Sequence, residues 1–277
     1  MTKRAFRAIL TLSAVLAVSG ALGAWAGAPV VVAGSGSNLA ATHALADAYK
    51  QRNPGMDVQV PPSIGTTGGV RAVADGSIAV GLASRPLTQS ERELGLTEVP
   101  YARTAIVLGA HPTVADEGIT LNDLVEIYAG RKTKWSDGHD IVVLTRQPND
   151  SSIEVLQATV PGFKQVYLES QQAKRWATMF TDRDMDLALI RTPYAIGLVD
   201  MGAISAGHLA IKPLKINGAA PTAAEVRAGR YTLVKALTFI VDPRRKSPDA
   251  QRFVDFSLSK EGATVLATIG YLPPPAR

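Results

Sequence analysis

The sequence predicts an α/β fold whose sheet carries its functional loops along one edge, and three observations carry that reading. Pro29 to Ala33 is a β-branched run that reads as a buried strand. Gly34-Ser35-Gly36-Ser37-Asn38 follows it and leads into a helical segment from Leu39 to Lys50. The unit then repeats: a strand from Met56 to Val60, a second glycine-rich stretch Ser63-Ile64-Gly65-Thr66-Thr67-Gly68-Gly69, and a short helical run from Val70 to Ala74. Strand, glycine loop and helix in alternation is the pattern of a parallel sheet covered by helices. In such sheets ligands collect beyond the carboxyl ends of the strands.

The remaining elements follow in order. Ile78 to Leu82 is an apolar strand running into Ala83-Ser84-Arg85-Pro86-Leu87. Thr88 and Ser90 are caps for a helix, with Glu91 and Glu93 three residues on. Val99 to Gly109 is a strand through which the chain leaves its first half. Thr120 caps a helix to Ala129 that places Leu121, Leu124, Val125 and Tyr128 on one face. Ile141 to Thr145 is a strand leading to Arg146-Gln147-Pro148-Asn149-Asp150-Ser151-Ser152 and a helix from Ile153. Leu187 to Ile190 and Ala195 to Val199 read as short strands around Arg191-Thr192-Pro193-Tyr194. Tyr231 to Val241 is a long apolar strand suited to a return crossing. Ser247-Pro248 opens a helix, with a cap followed by proline at the first helical position, and another helix follows Ser259.

The chain has 277 residues, 46% hydrophobic and 19% charged, enough for one large or two medium domains. Its start is a separate element. Lys3, Arg4 and Arg7 precede an apolar run from Ala8 to Val18, and Ala24-Trp25-Ala26 offers small residues around a cleavage point. The reading is a signal peptide over residues 1–26. Cleavage after Ala28 and an uncleaved anchor are the alternatives. Removing those three basic residues lowers the formal charge from +5 to +2, and no basic run with interleaved aromatics occurs, so no nucleic-acid partner is expected. Cysteine is absent, which excludes disulfides and a lipid anchor on an N-terminal cysteine.

Catalytic chemistry finds little support. His43, His111, His139 and His208 have no metal-ligand spacing, and no nucleophile elbow or complete P-loop occurs. Neither a cofactor nor a metal is expected. Oxyanion chemistry, by contrast, gathers candidates. Ser37, Asn38, Thr66, Thr67, Ser84, Arg85, Arg146, Ser151 and Ser152 all fall just after predicted strands. Hydroxyls and free N–H groups at helix starts favour an anion, and a guanidinium can clamp it through two parallel hydrogen bonds.

With these segments in view, the chain resembles the phosphate-binding proteins of bacterial phosphate ABC transporters. Gly34-Ser35-Gly36-Ser37-Asn38-Leu39 resembles the family's first anion loop, and the stretch from Ser63 to Gly69 resembles its second. Leu124 to Trp135 is similar to the family's L-x-x-I-Y-x-G-x-x-x-x-W segment. Gly197-Leu198-Val199 after Thr192-Pro193, and the tail from Val226 to Pro273, follow the same pattern.

The resemblance implies a two-lobed periplasmic-binding-protein fold of type II, each lobe a mixed sheet flanked by helices, with the ligand cleft between them. It implies a first lobe over residues 27–103 and 231–277 and a second over 104–230. The protein would be a periplasmic, monomeric receptor, not an enzyme, that delivers phosphate or a related oxyanion to an inner-membrane ABC permease. Carried over by position, Ser37, Asn38 and Leu39 contribute donors from the first loop. Thr66 and Thr67 belong to the second loop, and Arg146 is the charged clamp. Asp150, Ser151 and Ser152 stand where the family has S-G-T.

Two positions depart from the family. Arg85 stands where many members have aspartate, though others carry S-R-P, and Asp150 stands where serine is usual. An ionised carboxylate about 4 Å from a phosphate charge opposes it by roughly 4 kcal/mol at an effective dielectric near 20. The expectation is a charge exchange in which Arg85 pairs with Asp150 and leaves Arg146 to the anion. In the alternative, Asp150 accepts a hydrogen bond from a protonated oxyanion. A ligand-altered sensor or partner-binding module of the same fold, and a phosphate-ester hydrolase, are the other functions considered.

Overall fold

The computed structural model describes residues 29–245 and 247–274. The signal-peptide reading over residues 1–26 lies outside the described residues. Elements of the first half are β1 (Val30–Gly34), α1 (Leu39–Arg52), β2 (Val58–Gln59), α2 (Gly65–Asp75), β3 (Val80–Ala83), α3 (Gln89–Arg92) and β4 (Thr97–Ala110). Then come β5 (Gly118–Ile119), α4 (Leu121–Tyr128), β6 (Val142–Arg146), α5 (Ser151–Thr159), α6 (Phe163–Gln172), β7 (Ala177–Met179), α7 (Asp182–Arg191), β8 (Ala195–Asp200) and α8 (Met201–Gly207). The chain closes with β9 (Lys212–Pro213), β10 (Lys215–Ile216), α9 (Ala223–Arg227), β11 (Val234–Val241), α10 (Pro248–Leu258) and α11 (Lys260–Thr268).

The main sheet runs β2-β1-β3-β11-β4-β8-β6-β7. Its ends are parallel: β1 pairs with β2 and β3, and β6 pairs with β7 and β8. Two antiparallel strands join them. The first part of β4, Thr97 to Ala105, pairs with β11, and its last part, Ile106 to Ala110, pairs with β8. One core lies on each side of that junction. The first gathers Val32, Leu45, Leu82, Tyr101, Phe239 and Phe253, with Tyr101 stacked on Phe239 at 4.0 Å between ring centroids. The second gathers Ile106, Leu124, Ile153, Phe163 and Tyr167, with a smaller group around Met185 and Leu189. Each fully buried side chain of this kind contributes about 1.5–3 kcal/mol.

Local chemistry sets the element boundaries. Thr88 and Thr120 form reciprocal capping boxes with Glu91 and Asp123. Gly34, at φ +153°, ends β1 against the backbone of Leu82, where a Cβ would collide. One reading is corrected: Leu187 to Ile190 lies inside α7 and is not a strand. The Thr181–Asp184 capping box starts that helix, and Met185 and Leu189, four apart, bury one face.

Candidate anion-binding site

The parallel strands on both sides of the junction point their carboxyl ends at one cleft. β1 ends in Ser35-Gly36-Ser37, β3 in Ser84, β6 in Arg146, β7 in Phe180-Thr181 and β8 in Asp200. β11 runs the opposite way, so its first residues reach the same place, and Lys235 stands opposite Thr104 of β4. A cavity of about 290 Å³ opens there, walled by Ser35, Gly36, Thr66, Ser84, Arg146 and Asp182 among others.

Arg146 is the central cation. Its side chain is only 5% exposed. Nε and Nη2 both donate to Asp150 Oδ2, at 2.9 and 2.7 Å, and Nη2 lies 3.5 Å from Asp182 Oδ2. Tyr167 fixes the strand end by donating to the Arg146 carbonyl at 2.9 Å. Nη1 is buried and has no hydrogen-bond partner among the described residues. Burial disfavours the charged guanidinium, but Asp182, Asp150 and Asp200 outweigh it and hold Arg146 charged. A buried guanidinium N–H without an acceptor is costly, and an oxyanion in the cavity would satisfy it.

Hydroxyl groups complete the lining. Ser84 Oγ bonds Ser35 Oγ at 2.7 Å and Ser151 Oγ at 2.8 Å, a chain of hydroxyls that crosses from one half of the molecule to the other. Lys235 crosses as well: its ammonium donates to Ser37 Oγ at 2.7 Å and Ser152 Oγ at 2.8 Å, and it pairs with Asp200 Oδ1 at 2.9 Å. Thr66 lines the cavity from α2, whose N-cap residue Ile64 supplies no side-chain cap. Of the first-turn N–H groups, that of Gly65 donates to Ser63 Oγ at 3.2 Å, one residue before the cap.

The structure corrects the expected charge exchange. Arg85 does not pair with Asp150. Its guanidinium holds Glu91 through Nη1 and Nη2, at 2.7 and 2.9 Å, and donates to Thr67 Oγ1 at 3.1 Å. Arg85 and Thr67 line a separate cavity with Glu154. The reason is local: the Thr88 capping box brings the Glu91 carboxylate to within two hydrogen bonds of Arg85. The Arg85 hydrogen bonds depress Glu91 most, to about 2. Asp150 is instead the N-cap of α5, with Oδ1 accepting from Ser152 and Ile153 N–H and Oδ2 occupied by Arg146. Both oxygens are engaged, so the alternative of a free acceptor for a protonated oxyanion is not met either.

Of the other predicted residues, Ser151 and Asp150 line the Arg146 cavity, while Ser37 and Leu39 line an adjoining one. Ser152 meets Lys235. The Asn38 side chain turns inward, donating to the Ala83 carbonyl and Tyr101 Oη at 3.3 and 3.1 Å. Of the charged residues of the cleft, Lys235, Asp182, Asp186 and Asp200 were not anticipated, nor was the Ser35 hydroxyl. Lys235 carried a readable signal, a lone charge in the apolar run Val234-Lys235-Ala236-Leu237.

Two halves joined by antiparallel crossing strands, with strand ends and hydroxyls converging on a buried cation between them, define a two-lobed solute-binding protein. The chain matches the model of the PBP superfamily domain over residues 19–261 and belongs to that family. It is similar to the phosphate-binding protein PstS of Borreliella burgdorferi, 22% identical over 215 residues that cover 75% of this chain and 77% of the relative. A shorter match joins it to phosphate-binding protein PstS 2 of Streptococcus agalactiae serotype V, 31% identical over 108 residues, 39% of this chain and 36% of that one. Among solved structures, it resembles a substrate-binding protein from Clostridium perfringens assigned to phosphate ABC transport and solved with bound phosphate. The TM-score is 0.80 at 23% identity, over 89% of this chain and all of the other.

Proposed function

We propose that this protein is an extracytoplasmic receptor that captures phosphate, or a related tetrahedral oxyanion, between its lobes for ABC-type import. One observation carries the reading: Arg146 is buried at the wall of a hydroxyl-lined cavity and retains an unpartnered Nη1. In this reading residues 27–103 and 231–277 form one lobe and 104–230 the other. Arg146, the hydroxyls of Ser35, Ser84 and Ser151, and the first turn of α2 with Thr66 surround the anion. Closure removes it from water, so that each donor acts in a medium of low dielectric. The similarity to phosphate-binding relatives supports phosphate as the ligand, and binding and release, without a chemical step, as the mode of action.

A second reading, a module of the same fold that no longer binds anions, rests on the Arg146–Asp150 pair, which already uses two of the guanidinium's N–H groups. A thermal-shift panel of phosphate, sulfate, arsenate, molybdate and tungstate separates the two. An anion at about 100 times its dissociation constant stabilises by about 2.7 kcal/mol. For a chain of this size that raises Tm by about 5–10 °C. Absence of a shift with every anion refutes the receptor reading.

A further inference from the structure

The cavity beside Arg146 does not end at Asp182. A second cavity of about 760 Å³ adjoins it, and the two share Gly36, Ser63, Thr181 and Asp182 as walls. The Asp182 carboxylate packs over Gly36, where a Cβ would strike it, and stands 3.4 Å from Ser37 Oγ and 3.5 Å from Arg146 Nη2. It therefore faces both spaces.

The larger cavity has two kinds of wall. Leu39, Val60, Leu198, Leu209 and Ile269 make much of it apolar, while Asp182, Asp186 and Asp200 bring three carboxyl groups to one side. No group of three or more potential metal-ligating side chains is arranged around an ion among the described residues. Apolar walls would also strand the hydroxyls of a sugar substituent without partners. Hydrocarbon and a positive charge are what these surfaces complement.

Charge in the cleft points the same way. Three cations, Arg146, Arg183 and Lys235, are accompanied by five carboxyl groups: Asp47, Asp150, Asp182, Asp186 and Asp200. An inorganic dianion adds to that excess, whereas a ligand carrying its own cation offsets part of it. The unpartnered Nη1 of Arg146 is the independent sign that an anionic group belongs at the near end.

We propose that the cleft accepts a phosphate monoester or phosphonate whose substituent is a short alkyl chain ending in an ammonium group. The phosphoryl group sits on Arg146, the alkyl chain passes Asp182, and the ammonium meets Asp182, Asp186 and Asp200. This deepens the oxyanion reading above and rests on it for the phosphoryl end. The position of Asp186 in the chain of carboxyls is reflected in its titration: burial first, then Asp182 and Asp200, push it up to about 7.

The test is calorimetric titration of the protein at about pH 8, where an alkylammonium is charged, with three probes: inorganic phosphate, ethyl phosphate and O-phosphoethanolamine. Phosphoethanolamine is expected to bind about tenfold or more tighter than ethyl phosphate, and Asp186→Asn to shrink that ratio toward one. Equal affinities for the two esters, with inorganic phosphate still bound, overturn this inference and leave the oxyanion reading standing. Binding of phosphoethanolamine without inorganic phosphate supports the inference and removes inorganic phosphate as the ligand. Failure of all three probes overturns both. The comparison of esters on the unaltered protein decides the matter even where the variant does not fold.

Discussion

Replacing Asp186 by asparagine should stabilise the protein, and only above mildly acidic pH. Asp186 lies one helical turn beyond Asp182 on α7, beside the larger cavity. Burial, the Asp182 charge and the Asp200 charge raise its carboxyl from 3.8 to about 7, with Arg146 opposing them. At or below about pH 4 the carboxyl is protonated in both folded and unfolded chains, so it contributes no pH dependence. Between about 4 and 7 the unfolded chain has released the proton and the folded one retains it; the unfolded state binds fewer protons, so stability falls as pH rises. Above about 7 the full cost is present. A shift of about 3 units at 1.36 kcal/mol each gives a ceiling of about 4 kcal/mol. Water in the open cavity screens part of that, leaving roughly 2 kcal/mol. For a chain of this size this corresponds to a Tm higher by about 4–8 °C in Asp186→Asn at pH 8. Thermal unfolding of both proteins across the pH range reads the difference directly. A gap that is equally large at pH 4 and pH 8 would mean a packing effect and refute the electrostatic argument, as would no gap at pH 8.

Three further outcomes follow from the same geometry. Lys235→Met leaves Asp200 buried beside a lost partner and should cost about 3–5 kcal/mol, seen as a lower urea midpoint; adding Asp200→Asn should recover most of it. Arg146→Lys keeps a charge but loses the free Nη1 and the fork that holds Asp150, and phosphate affinity measured calorimetrically should fall by about 10–100-fold. Arg85→Ala should leave phosphate affinity within about threefold, because Arg85 lines a different cavity and its guanidinium is taken up by Glu91 and Thr67. The same variant should lose acid resistance. Glu91, held at about 2 by Arg85, contributes stability that is full above its unfolded value near 4.5 and lost as pH falls toward 2, and its removal should show in denaturation at about pH 3–5.

Much of the architecture was legible because it rests on local signals. The glycine loop after β1, the capping residues Thr120, Ser247 and Ser259, and the apolar crossing strand before Val241 each state their role within a few residues, whereas Gly65 to Gly69, read as a loop, already belongs to α2. Where the reading failed, two local signals competed. Leu187-Ala188-Leu189-Ile190 is short and apolar enough for a strand, but Thr181 with Asp184 announces a helix six residues earlier. Helix α6 was not read from the sequence, although Phe163, Val166, Tyr167 and Ser170 bury one face at helical spacing. The site was harder because partners distant in sequence decide it. That Arg146 lies within reach of Asp182 depends on the parallel pairing of β6 and β7. That Lys235 meets Ser37, Ser152 and Asp200 depends on β11 running antiparallel through the junction. No short stretch contains either fact.

The placement of Asp150 changes what the cleft asks of a ligand. Judged from sequence, a carboxylate at this position stands against an incoming anion by roughly 4 kcal/mol at contact distance. In the structure its charge is already spent on the first-turn N–H groups of α5 and on two N–H groups of Arg146. The repulsion is therefore reduced, but so is the guanidinium's capacity, since Nη1 alone is wholly uncommitted. An anion bound here does not meet a free bidentate clamp. In the proposed reading it meets the two N–H groups of Nη1, a set of hydroxyls already bonded to one another, and the first turn of α2. Hydroxyls can exchange partners at little cost because each is both donor and acceptor, whereas the Arg146–Asp150 pair is buried and costly to separate. In the proposed reading selectivity depends less on Arg146 itself than on Asp182, which lines both cavities and would favour a ligand that brings it a proton or a positive charge.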